Sequence, residues 1–182
     1  NAGLVPDQDL ILTKPLGVGV ITTAIKAGIA GKEIISAAVA SMTQLNDIAS
    51  QVAVSAGATG ATDVTGFGLL GHLGKMVLTS GVDAVIDVGG IAFLPGAKQY
   101  AEDGVIPGGT RRNLAWVENQ IDAGSYGETD LLLLADAQTS GGLIFGVDKA
   151  KSGEACTELN EQGVGAMIVG ETCTGTGTIR LR

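Results

Sequence analysis

A chain of 182 residues with 29 glycines, 45% hydrophobic residues and only 3% aromatics must build its core from Ala, Val, Ile and Leu. That length suits one domain and the apolar content excludes a disordered chain. A formal net charge of −8 argues against nucleic acid as a partner, the absence of any apolar run near 18 residues argues against a membrane helix, and two cysteines without a leader-like segment suit a reducing cytoplasm.

In chain order, Leu10 to Thr13 is a short β-type run that stops at Lys14-Pro15-Leu16-Gly17. Helical patterning predicts three helices, Val18 to Ala27, Lys32 to Met42 and Gln44 to Ser55, with Gly28, Gly31 and Gly57 as stops. Ala61 to Val64 reads as a strand. Gly66 and Gly68 then open a helix whose Leu69, Leu70, Leu73, Met76 and Val77 fall on one face. Gly81 ends it, and Val82 to Val88 alternates in the β manner. Residues 89 to 113 hold many glycines and prolines and read as a long, partly helical excursion. Leu143 to Val147 is a strand, Lys149 to Gln162 a helix, Val164 to Val169 a strand, and Thr178 to Leu181 a closing strand. Helices and strands mix without strict βαβ alternation, so the predicted fold is α+β, a mixed sheet covered by helices. No repeat or linker divides residues 1 to 182.

Three glycine-rich clusters combine glycine with oxygen-bearing side chains. In the first, Asp63 stands at a strand end before Thr65-Gly66-Phe67-Gly68 and a helix. A carboxylate beside a helix N-terminus can hold Mg²⁺ together with substrate phosphates; equally, Asp63 and Thr65 can cap the helix. The second is Pro107-Gly108-Gly109-Thr110-Arg111-Arg112-Asn113, where glycines admit a ligand close to the backbone and guanidiniums fork onto anionic oxygens. The alternative is a surface turn in which Thr110 caps a helix carrying Leu114, Trp116 and Val117. The third, Asp136-Ala137-Gln138-Thr139-Ser140-Gly141-Gly142, either cradles an anion or turns the chain into a strand.

Other signals lead elsewhere. His72 is the only histidine, so no His-based metal cluster forms, and it reads as a partly buried helix residue. Cys156 and Cys173 lack a flanking basic cluster and read as structural or exposed thiols. Gly17-Val18-Gly19 falls short of a dinucleotide fingerprint, no Walker loop is present, and Lys14 reads as a solvated strand end.

Taken together, Leu10 to Gly17, Ala61 to Leu73, Pro107 to Asn113 and Gln138 to Leu143 resemble, in order and spacing, the C-terminal half of the selenophosphate synthetase (selenide, water dikinase) family. The wider superfamily includes aminoimidazole ribonucleotide synthetase, thiamine-monophosphate kinase and a hydrogenase-maturation enzyme. The resemblance implies an aminoimidazole ribonucleotide synthetase C-terminal-domain-like fold. It implies a role in an ATP-dependent phosphotransferase that turns selenide, ATP and water into selenophosphate, AMP and phosphate with Mg²⁺. Asp63 matches the family's C-terminal metal-binding Asp. The resemblance further implies a separate N-terminal ATP-binding domain with the reactive Cys or selenocysteine, a homodimer when full-length, and no activity or catalytic residue in these 182 residues alone. Asn1-Ala2 then reads as an expression scar. Ala137 departs from the family, which often has Pro there, and loosens that turn. Two other readings stay open: another ATP-using superfamily member, and a non-catalytic oligomerisation or ligand-binding module.

Overall fold

Leu10, Ile11 and Leu12 are all wholly buried, which a strand permits only when both faces of its sheet are covered. In the computed structural model, which describes residues 2–182, they lie in β1 (Gln8–Leu12) inside a seven-stranded mixed sheet. The other strands are β2 (Gly60–Asp63), β3 (Val82–Ile86), β4 (Ile121–Asp122), β5 (Leu143–Asp148), β6 (Met167–Thr174) and β7 (Ile179–Leu181). Their order is β2-β5-β1-β6-β3-β7-β4; β7 runs parallel to β3 and β4, and the other pairs are antiparallel.

Among the described residues, eight α-helices accompany the sheet: α1 (Val18–Lys26), α2 (Lys32–Thr43), α3 (Asp47–Ser55), α4 (Gly68–Ser80), α5 (Ala97–Glu102), α6 (Gly108–Val117), α7 (Glu128–Leu134) and α8 (Lys149–Glu161). The period of two along β1 sends Leu10 and Leu12 to the cluster of Leu69, Leu70 and Leu73 on α4. It sends Ile11 to the opposite cluster, with Phe145, Val52 of α3 and Leu159 of α8. A third cluster joins Val20 and Ile21 of α1 to Ala38 of α2, Ala97 of α5 and Leu133 of α7. The sheet is therefore covered on both faces, as the α+β reading required.

Several boundaries differ from the sequence expectation, each for a local reason. The third helix begins at Asp47 rather than Gln44, because residues 44 to 46 are drawn to the first strand's end. Gln44 is extended there (φ −65°, ψ 125°), its carbonyl accepts from Lys14, and Asn46 donates to Gly141. The strand expected at Val164 begins at Met167 and runs on to Thr174, since Asn160 and Leu159 hold residues 164 to 166 as a loop. The strand from Val82 stops at Ile86, where Asp87 caps a 3-10 turn over Val88–Gly90. Sequence reasoning missed β4 and α7, whose shortness leaves little periodicity to read.

Candidate functional site

The three glycine-rich clusters, separated by up to about seventy residues, meet at the end of β2. Asp63 is the last residue of β2 and lies opposite Leu143 of β5. The Val64 N–H donates to the Gly142 carbonyl at 2.8 Å, and the Gln138 N–H donates to the Thr65 carbonyl at 3.0 Å. Asn113 of α6 donates to the carbonyls of Gly66 (2.8 Å) and Ala135 (3.1 Å). Thr110 donates to Asp136 at 2.9 Å. Each cluster is thus bonded to both others.

Asp136 is the buried centre of this arrangement. Its carboxylate accepts from the N–H groups of Gly19 (2.8 Å) and Val20 (3.2 Å) in the first turn of α1, while Gln138 accepts from Val18 at 3.2 Å. These two side chains fill the helix N-terminus that Gly17, itself without a side chain, leaves uncapped. A Cβ on Gly19 would run into the Asp136 carboxylate. The Gly17-Val18-Gly19 turn therefore closes around a protein carboxylate and offers no room for a dinucleotide phosphate.

Burial raises the Asp136 carboxyl to about 6, against the lowering effect of its hydrogen bonds from Val20, Thr110, Gly19 and Gln138. A carboxyl raised in the folded state contributes stability that is complete below its unfolded value and lost as pH rises through about 6. The difference corresponds to about 3 kcal/mol. Thermal unfolding is therefore expected to move down by roughly 5 °C or more between pH 4.5 and 7. In Asp136→Asn that decline is expected to vanish; the same decline in the variant would assign the titration to another group.

Asp63 itself is exposed, and among the described residues its side chain makes no hydrogen bond. The capping expectation for Asp63 and Thr65 is corrected: α4 starts at Gly68 without a side-chain cap. Thr65 is engaged with His72 instead. The Thr65 N–H donates to His72 Nε2 at 3.1 Å, and the Thr65 hydroxyl lies 3.1 Å from the same nitrogen. Accepting the Thr65 N–H leaves His72 Nε2 without a proton, so the ring pins the turn after Asp63; burial holds the imidazole below its usual range, partly offset by the nearby Asp63 charge. Phe67 meets His72 edge to face and lies tilted against Trp116, and Phe67 and Trp116 stay more than half exposed beside the site.

The remaining sequence candidates divide into tied and free groups. Thr110 does not cap α6, which begins at Gly108; it is wholly buried and spent on Asp136. Asn113 is spent on Gly66 and Ala135. Arg111 is exposed and paired with Glu128 at 2.8 Å, while Gly108 and Gly109 have only the Arg112 side chain nearby. Thr139 and Ser140 are exposed, and Gly141 lies buried behind them with its carbonyl accepting from Asn46 at 2.9 Å. Lys14 is corrected outright: it is not a solvated strand end but 2% exposed, donating to the carbonyls of Gln44 and Ser140. Sequence reasoning missed Asp136, Gln138 and Lys14 as organisers; the Asp and Gln beside the Thr-Ser-Gly-Gly turn were the available signal. Among the described residues, no three His, Cys, Asp or Glu side chains gather as a metal site.

A mixed sheet covered on both faces, with an exposed carboxylate at a strand end among glycine-rich turns, makes this an α+β domain with a solvent-facing glycine-rich site. The family model described as "AIR synthase related protein, C-terminal domain" matches residues 5–181, and the chain belongs to that family. The particular relatives are named selenide, water dikinase. The chain is 42% identical over 175 residues to that of Carboxydothermus hydrogenoformans, covering 96% of this chain and 51% of the relative. It is 42% identical over 178 residues to that of Myxococcus xanthus, with the same coverage. The chain thus spans about half the length of these relatives. Among solved structures, Escherichia coli HypE, a hydrogenase maturation protein, matches with a TM-score of 0.70 at 14% identity, over 98% of this chain and 46% of that one. Thiamine-monophosphate kinase from Stenotrophomonas maltophilia matches at 0.65 and 15% identity, over 99% and 51%. These distant likenesses concern the fold.

Proposed function

We propose that this chain serves as the C-terminal domain of a selenide, water dikinase, an ATP-dependent phosphotransferase making selenophosphate, AMP and phosphate from selenide, ATP and water. The observation that carries the reading is the 42% identity to proteins of that name across 96% of the chain. In this reading the domain works beside an N-terminal ATP-binding domain in a cytoplasmic homodimer and is inactive alone. Asp63 is its metal-facing group. One exposed carboxylate suits Mg²⁺, which commonly takes one or two carboxylates and completes its shell with water and substrate phosphates. Bound there, the ion would neutralise charge on ATP phosphates. The chain's own residues prepare the place: His72 and Thr65 fix the turn after Asp63, and Asn113 and Asp136 tie the neighbouring loops to it. In this reading Gly108, Gly109, Arg111, Thr139, Ser140 and Gly141 are the loop residues that would meet phosphate oxygens. Thr110 and Asn113 support those loops from within.

A chimaera tests this directly. With this chain in place of the C-terminal half of the Carboxydothermus hydrogenoformans relative, AMP formation from ATP is expected to require selenide. A folded chimaera that forms no selenide-dependent AMP would refute the proposal.

A further inference from the structure

Lys14 is a large, wholly buried side chain, yet among the described residues no Asp or Glu forms an ion pair with it. Lysines are almost never fully buried unless paired, because an ammonium in an apolar interior loses its hydration without a compensating charge. Among the described residues Nζ donates only to backbone carbonyls, of Gln44 at 2.7 Å and of Ser140 at 2.8 Å. Burial pushes the ammonium below its usual range. Asn46 holds the next carbonyl, that of Gly141.

These contacts decide how the turn faces outward. A trans peptide points its C=O and N–H in opposite directions. With the Ser140 carbonyl drawn toward Lys14, the Gly141 N–H is turned the other way. Among the described residues, no group accepts a hydrogen bond from the N–H of Ser140 or Gly141. Ser140 is held at φ 55°, a left-handed conformation uncommon for a residue with a side chain. Successive N–H groups around such a residue form a concavity that suits anions.

We propose that Lys14 is the counter-charge behind an anion-binding turn: bonded to the inner side of the Ser140 peptide, it favours a phosphate-type oxyanion held on the outer side by the N–H and hydroxyl groups of Thr139, Ser140 and Gly141. This rests on the reading of residues 139–141 as a phosphate loop and adds the residue that supplies its charge. Lys14 touches no ligand. It positions the turn and polarises the Ser140–Gly141 peptide, so the Gly141 N–H becomes a stronger donor. The excess buried positive charge is then balanced only when the anion is bound.

The test uses the isotope-labelled chain titrated with inorganic phosphate at constant ionic strength. The amide resonances of Ser140 and Gly141 and the side-chain carbons of Lys14 are followed across pH. Phosphate is expected to shift both amides saturably and to raise the Lys14 protonation midpoint by about half a pH unit or more, because an anion favours the charged form. Lys14→Met, which keeps the apolar stem, is expected to weaken phosphate binding about tenfold; it leaves the Gln44 and Ser140 carbonyls without their donor, so a lower melting temperature is expected as well. If the amides respond but the Lys14 midpoint stays fixed and Lys14→Met binds equally, the counter-charge role is overturned and the phosphate loop stands. If the amides do not respond, the phosphate loop itself fails, and this role with it. Should Lys14→Met not fold, the midpoint in the parent chain decides alone.

Discussion

Asp63→Asn in the chimaera is expected to lower selenide-dependent AMP formation about a hundredfold or more, with unfolding temperature unchanged. Phosphoryl transfer is catalysed mainly by positioning and by neutralising charge on phosphate oxygens, so a lost metal ligand acts on the rate directly. Stability is indifferent for a separate reason: the side chain is exposed and bonded to nothing among the described residues, and such surface changes usually stay within about 0.5 kcal/mol. The amide keeps the size and accepts hydrogen bonds, but it binds Mg²⁺ poorly. The Mg²⁺ concentration for half-maximal rate is therefore expected to rise as well. Near-normal activity at ordinary Mg²⁺ would remove Asp63 from the site.

Gly68→Ala is expected to cost about 3 kcal/mol, whereas Gly66→Ala, two residues earlier, costs almost nothing. Gly68 adopts φ 70°, where a side chain adds roughly 1–2 kcal/mol of strain. A Cβ there would also stand 2.5 Å from the carbonyl oxygen of Ala135, a backbone atom that cannot rotate aside. Displacing that backbone adds about 1–3 kcal/mol. Around Gly66 there is open space and no positive φ. Paired thermal melts measure the contrast, expected as a drop of roughly 10 °C for Gly68→Ala. Equal melting temperatures in the two variants would contradict the close approach of α4 to the end of α7.

Both Gly66 and Gly68 look alike in the sequence, and their difference shows where local reading stops. Periodicity is a property of neighbouring residues, so it was legible. The short β-type run through Leu10, Ile11 and Leu12 read as a strand, the alternation from Val82 read as another, and Leu69, Leu70, Leu73, Met76 and Val77 read as the buried face of α4. The glycine-rich clusters were legible as special places, because glycine beside Asp, Thr and Ser marks turns rather than regular elements. Short pieces such as β4 and α7 were not, having too few residues to repeat a pattern.

What each cluster does depended on partners distant in the chain. Asp136 caps a helix that starts 118 residues earlier in the sequence. Gln138 bonds Val18 across 120 residues, and Lys14 reaches Ser140 across 126. A cap or a buried charge looks like a missing partner when only neighbours are considered: α1 has no local cap, and Lys14 has no local acid. The sequence by itself determined the α+β pattern, the faces of its long elements and the positions of the unusual turns. Only the tertiary structure decided which polar side chains are spent on one another and which, like Asp63, Thr139 and Ser140, face outward, because satisfying a buried polar group requires bringing its partner from elsewhere in the chain.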